Sequence, residues 1–237
     1  MLSPYGLEIV ESCLTCKMRA DKIFCNLPTQ AVQALETIKY TTAYPKGAVL
    51  FVEGQAPRGI FLLCKGRVKL SIGSSDGKML ILKISEPGEV LGLSATVSGK
   101  PYELTAETLD PCQVNFVKRD DFVRFLREHN EVCLRVAEQL SDKYNTACHE
   151  IRALGLSHSA AEKLAKLLLE WSDKNGARQT GHMKLTLTHE EIAQMIGTSR
   201  ETVTRLFADF KKKQFIQLRG STLVIRNKAA LETLVSP

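Results

Sequence analysis

Between Asp120 and Leu154 the chain carries neither glycine nor proline, and no other stretch constrains its fold as strongly. Without a breaker the segment reads as a long helix, weakest at His129-Asn130. Cys133, Ala137, Leu140, Tyr144, Ala147, Ile151 and Leu154 fall at alternating steps of four and three residues. An apolar seam of period 3.5 suits the packing of two helices against each other. At about 1.5 Å per residue such a helix is longer than a small β-domain is wide. Part of the seam therefore expects another partner. A helix packed only on its own sheet is the alternative.

Upstream the pattern is different. From about Tyr40 to Val117 short apolar runs alternate with glycines: Val49–Phe51, Ile60–Leu63, Val68–Ile72, Met79–Leu82 and Val114–Val117. Runs of this length with regular turn signals read as a small antiparallel sandwich or barrel. Ser75-Asp76-Gly77-Lys78 is a good hairpin turn, because glycine takes a positive φ at little cost.

Downstream, the charge changes. The chain as a whole carries a formal net charge of +6, and residues 155–237 hold 13 Lys+Arg against 8 Asp+Glu. That excess in the last third is what a part meeting a polyanion needs. Within it, Thr188 with Glu191, and Thr198 with Glu201, read as two capping boxes ten residues apart with Gly197 between them. Two short helices joined this way have helix-turn-helix spacing. On the second, at about 100° per residue, Val203, Leu206, Phe207 and Phe210 share one arc while Arg200, Glu201, Thr204 and Arg205 share the other. Guanidinium forks match guanine O6 and N7, and a carboxylate accepts from cytosine N4, so the exposed arc suits the major groove. For Glu201 a capping role alone is the competing reading. Lys211 and Lys212 extend the helix with charge for phosphates. Phe215–Leu218 and Thr222–Ile225 around Arg219-Gly220-Ser221 read as a terminal hairpin, or wing.

Thr198-Ser199-Arg200-Glu201-Thr202-Val203-Thr204-Arg205, following a β-domain and a long interface helix, resembles the CRP/FNR family of bacterial transcription regulators over about residues 30 to 230. The resemblance implies an α+β fold: an N-terminal antiparallel β-roll of the cyclic-nucleotide-binding kind, a long dimerisation helix and a C-terminal winged helix-turn-helix. The corresponding segments are 1–30 (a cysteine-containing N-terminal segment), 31–119, 120–154 and 155–237. It implies base contacts from Arg200, Glu201 and Arg205, with Ser199, Thr204, Lys211 and Lys212 alongside. The expected partners are a second copy of the chain, palindromic double-stranded DNA with TGTGA-like half-sites, and RNA polymerase.

The signal to which such a regulator responds is less legible. In the family's nucleotide-binding members an Arg-Ser pair holds the phosphate and a Glu the ribose. Here Leu93 stands at the Glu position, no arginine occurs between Arg67 and Arg119, and Glu103 is acidic. Cyclic-nucleotide binding is therefore not expected, although Lys100 offers one cation. Cys13, Cys16, Cys25 and Cys112 resemble the ligand set of FNR-type oxygen sensors, which implies a 4Fe–4S cluster on four thiolates. Zinc on the same four thiolates, a thiol–disulfide switch, another small effector and a cyclic-nucleotide-binding regulatory module of another class remain open.

Seven cysteines without an export signal point to a reducing compartment, and the cytoplasm is the expected location. No apolar run reaches membrane-spanning length. No P-loop, GxSxG or HExxH occurs, so an enzyme is not expected.

Overall fold

The computed structural model describes residues 4–17, 24–156, 159–174 and 182–235. The chain divides into two compact units, Met1–Ala147 and Cys148–Pro237.

The first unit runs α1 (Thr29–Ile38), β1 (Lys39–Tyr44), β2 (Val49–Phe51), β3 (Gly59–Lys65), β4 (Val68–Gly73), β5 (Met79–Ser85), β6 (Val90–Leu91), α2 (Leu93–Ser98), β7 (Thr105–Thr108), β8 (Cys112–Lys118) and α3 (Arg119–Glu128). The long helix α4 (Asn130–Leu156) then begins. Two four-stranded antiparallel sheets, ordered β1-β8-β3-β6 and β2-β7-β4-β5, form the roll. The β4–β5 hairpin closes at Gly77, with φ +82°, as its turn residues required. The long helical stretch does break at His129, whose φ of −130° and ψ of 83° end α3 before α4 starts.

Side chains alternate across β3 and β8, so each strand serves two cores. Phe61 and Leu63 of β3, with Cys112 and Val114 of β8, pack between the sheets with Phe51, Leu91 and Tyr102. The opposite residues, Ile60, Leu62 and Val117, face a second core. This core joins α1 through Val32 and Leu35, α3 through Phe122 and Phe125, and the start of α4 through Val132 and Val136. Cys13, Leu14 and Cys25 of the N-terminal segment pack against it as well. Gln113 and Asn115 also point to this second face of β8. The Gln113 amide accepts from Val10 N (2.8 Å) and donates to Val10 O (2.6 Å), docking the N-terminal segment.

The second unit runs α5 (Ala160–Lys174), β9 (His182–Lys184), α6 (His189–Ile196), α7 (Arg200–Lys212), β10 (Ile216–Arg219), β11 (Thr222–Ile225) and α8 (Lys228–Val235). Its core comprises Leu164, Leu168, Ile192, Val203, Phe207, Phe210, Leu223 and Leu231, each at most 2% exposed. The wing is a three-stranded sheet, β10-β11-β9, one strand more than the hairpin read from the sequence. β9 has only three residues, too few to carry an alternation of their own.

Candidate functional site

The reading head is assembled by its helix ends. Thr188 caps α6 with a complete capping box: its hydroxyl accepts from Glu191 N (3.2 Å), and Glu191 accepts from Thr188 N (2.7 Å). Gly197 follows in the left-handed region, φ +64°, where a side chain would be strained. The second cap differs from the expected one. Thr198 N still donates to Ala193 O (2.9 Å) and so belongs to the closing turn of α6. The cap of α7 passes to Ser199, whose hydroxyl accepts from Thr202 N (3.2 Å).

With α7 started there, Val203, Phe207 and Phe210 are buried, and Arg200, Glu201, Thr204 and Arg205 are exposed. Glu201 is not the expected partner of a Thr198 cap. Its carboxyl is held below the usual range by its own backbone N–H and by Ser199, with Arg200 and Arg205 adding to the effect. Arg205 Nη2 donates to Thr202 Oγ1 (3.3 Å), which orients its fork. Lys211 and Lys212 stand exposed in the last turn, while Lys213 pairs with Asp209 (2.9 Å).

His189 is a residue that sequence reading passed over. Its ring stacks on Phe207 (centroids 5.0 Å apart, planes 6° apart), and its Nδ1 lies 2.9 Å from Thr204 Oγ1. It clamps the first helix onto the second from the exposed side. The Thr204 hydroxyl is engaged there and also donates to Arg200 O (3.0 Å), which explains its use as a brace. Only its position in the apolar-free arc was visible in the sequence.

In the first unit the interface residues read from the heptads divide. Cys133, Ala137, Tyr144 and Ala147 are exposed, Tyr144 at 71%, and so is Leu134 at 64%. Leu140 packs partly into the roll's second core. Ile151 and Leu154 lie outside the residues whose side chains are described. One face of α4 thus lies on the roll through Val132, Val136 and Leu140, and a neighbouring apolar face is bare.

Lys143 reaches from α4 back onto the roll. Its ammonium donates to Val90 O (3.0 Å) on β6. Burial, then the nearby Lys83, pulls its pKa down to about 8, against the opposing pull of Glu89 and Glu103. The segment following β6 is closed by Tyr102, 2% exposed and stacked on Phe51 (4.1 Å). The Tyr102 hydroxyl accepts from Arg58 N and Gly59 N and donates to Gly59 O (2.8 Å). Gly92 has φ +70° there, and a Cβ on it would meet the Tyr102 ring at 2.7 Å. Glu103 is exposed and accepts from Ser94 Oγ (2.7 Å).

The cysteines do not assemble as the sequence implied. Cys13, Cys16 and Cys25 line one small cavity with Cys64 of β3, together with Val32, Leu35 and Asn115. Cys112 has no exposed surface and lies on the other face of β8, in the core between the sheets. Its thiol, which burial pushes up to about 11, contacts the carbonyls of Arg67 and Asp110.

Residues 41–129 match the cyclic nucleotide-binding domain, and residues 162–234 match the Crp-like helix-turn-helix domain. The chain is 26% identical over 211 residues to the CRP-like cAMP-activated global transcriptional regulator of Mycobacterium tuberculosis, covering 88% of this chain and 94% of that protein. Among solved structures, FixK2 from Bradyrhizobium japonicum aligns at 24% identity with a TM-score of 0.73, covering 84% of this chain and 98% of its own. The c-di-GMP responsive regulator CLP from Xanthomonas campestris aligns at 16% identity with a TM-score of 0.74, covering 84% and 99%. At these identities the two structures establish the fold alone.

Two expectations about the sensor are thereby corrected. A 4Fe–4S cluster on Cys13, Cys16, Cys25 and Cys112 does not hold. Cys112 faces away from the other three, and among the described residues no group of three or more His, Cys, Asp or Glu could hold a metal ion. The expectation against a cyclic-nucleotide module fails as well, because the roll matches that domain over residues 41–129. A missing arginine removes one phosphate donor and leaves the architecture of the roll as it is. Among the described residues no helix is long and apolar enough to cross a membrane.

Proposed function

Because the chain belongs to the CRP/FNR superfamily of DNA-binding transcription regulators, we propose that it acts as a homodimer. Its two α7 helices would read the half-sites of a palindrome, and its rolls would bind a small effector of the nucleotide class. Members of this family are regulators without a catalytic step, and RNA polymerase is the proposed further partner.

One observation carries the DNA reading: α7 has two faces. Val203, Phe207 and Phe210 anchor it, while Arg200, Glu201 and Arg205 project near its N-terminal end. Ser199 fixes that end by capping, Thr204 braces it, and Lys211 and Lys212 offer charge to phosphates. The test is binding to a palindrome of TGTGA-like half-sites, with centres about one helical turn apart, against random duplex. Arg205→Ala is expected to lose about 1–3 kcal/mol on the palindrome and to relax one base position per half-site. Lys212→Ala should weaken both duplexes alike. Equal losses for Arg205→Ala on both duplexes would remove the base-reading role.

The bare face of α4, with Leu134, Ala137, Tyr144 and Ala147 exposed, supports a second copy as its occupant. Ile151 and Leu154 continue the same heptads.

For the effector, support comes from the roll's family and from Lys143, which joins α4 to β6 beside Lys83, Glu89 and Glu103. An anionic effector here would stabilise the charged ammonium and draw its pKa back up towards the ordinary lysine value. Binding would then take up protons near pH 8, and the uptake would vanish well below pH 8, where Lys143 already holds its proton. Calorimetry of cAMP, cGMP and c-di-GMP in buffers of different ionisation heat measures this directly. Lys143→Met is expected to bind without the uptake. No heat from any of the three would overturn the nucleotide class.

A further inference from the structure

The cavity shared by Cys13, Cys16, Cys25 and Cys64 is a chemical site that neither DNA reading nor effector binding uses. Its volume is about 20 Å³, enough for one water-sized molecule, and its other walls are largely apolar. Cys13 and Cys16 belong to one tight turn, in which Cys16 N donates to Cys13 O (3.4 Å). Cys13 is held by two contacts, the second of which is itself braced. Its N–H donates to Glu36 on α1, its sulfur accepts from Asn115 Nδ2 (3.6 Å) on β8, and Asn115 in turn accepts from Thr41 Oγ1 (2.8 Å) on β1. Cys64 comes from β3, at the irregularity in its pairing with β8 between Leu63 and Lys65, and lines the same cavity as Leu62. All seven cysteines are thiols in this structure.

We propose that the Cys13–Cys16 turn at the edge of this cavity is a thiol–disulfide exchange site, with these two cysteines as the redox pair and the partly exposed Cys16 as the sulfur that a small disulfide reaches from solvent. The oxidant is a low-molecular-weight disulfide. The Cys16 thiolate attacks one of its sulfurs, forming a mixed disulfide and releasing one thiol. The Cys13 thiolate then attacks the Cys16 sulfur of that mixed bond and releases the second thiol. The pair loses two electrons and two protons, and the small disulfide gains them as two thiols.

The surroundings fix how the couple behaves. Burial holds the Cys13 thiol above its ordinary range, and it pushes Cys64 up to about 12. An environment that disfavours the thiolate does little to stabilise the reduced form, so the disulfide forms slowly and is hard to reduce once made. Cys64 and Cys25 stay reduced behind it.

The consequence passes through packing. Closing the pair draws Cys13 away from Asn115 and shifts the segment resting on the core that contains Val132 and Val136 of α4. The end of the dimer helix nearest the roll then loses support, and DNA affinity falls.

This proposal stands apart from the effector reading, because its readouts require no nucleotide. The full chain is equilibrated in buffers of reduced and oxidised glutathione, acid-quenched, unfolded in denaturant with an alkylating reagent so that buried thiols also react, and mapped by mass spectrometry. The expected result is one two-electron couple confined to Cys13 and Cys16, with Cys25, Cys64 and Cys112 alkylated throughout. Oxidised protein should bind the palindrome about fivefold or more weakly than reduced protein. Cys16→Ser should hold the reduced affinity at every poise, and Cys13→Ser should stall as a glutathione adduct on Cys16, both with unchanged far-ultraviolet circular dichroism. If Cys13→Ser fails to fold, Cys16→Ser decides alone. No disulfide at any poise, a disulfide to another cysteine, an unchanged affinity on oxidation, or stoichiometric zinc in the purified protein would each overturn the proposal.

Discussion

A Leu134→Glu, Tyr144→Glu double variant will remain folded and lose about a thousandfold in affinity for a palindromic site. The two side chains are 64% and 71% exposed, so neither charge enters a core of the chain itself. In a dimer they would meet across a helix pair, where two desolvated carboxylates on each copy cannot be accommodated. Each reading head then binds alone. The second half-site no longer benefits from the effective concentration that linkage supplies, typically a factor of about 10² to 10⁴. Sedimentation should report a monomer at micromolar concentration, and half-site affinity should change little. A variant that sediments as a dimer would remove this face of α4 from the interface.

Phe207→Ala will destabilise the second unit by about 3–5 kcal/mol. Phe207 is 2% exposed, sits on the buried arc of α7, and carries the stacked His189 ring on its outer side. Its loss removes the core anchor of the reading helix and the clamp from α6 together. Trp171, the chain's one tryptophan, lies on α5 in the same unit and reports the transition. Its thermal midpoint should fall by about 15 °C or more. His189→Ala, which leaves the core intact, should shift it by only a few degrees. Similar shifts for the two variants would place the stability in the clamp instead of the core.

The second unit was the more legible in sequence because its determinants are local. Thr188 and Glu191 are three residues apart, Gly197 marks its own turn, and the buried arc of α7 follows from a single period. The residue pattern puts the cap of α7 at Thr198, one residue before Ser199; Thr198 is still hydrogen-bonded to α6, which a pattern of residue types cannot display. In the roll, the runs of β2, β3, β4, β5 and β8 stood out by their apolar content. β1 did not, because Lys39–Tyr44 is a largely exposed strand at a sheet edge. The short helix α1 is equally faint in the sequence, since Ala31, Val32 and Leu35 give little more than one turn of periodicity.

The cysteines show where local reading ends. Cys64 and Cys112 both lie on central strands, and which of them meets the N-terminal segment depends on which face of its strand each occupies. In β8, Cys112 shares a face with Val114, and Gln113 and Asn115 take the other. Only the register β3↔β8, set by residues some fifty positions apart, decides the matter. A shift of one residue would exchange the two sets.

The attachment of the N-terminal segment by side chains has its own consequence. Gln113 holds Val10, Glu36 holds Cys13, Lys39 holds Glu11, and Lys65 holds Glu8, all without a ladder of backbone bonds. Such a strip can detach while both sheets stay paired, so its opening requires much less free energy than melting the roll. Amide hydrogens at Val10 and Cys13 should exchange with solvent far sooner than those of β3. A protease sampling the native protein would meet this strip first, and the domain behind it would outlast the cut.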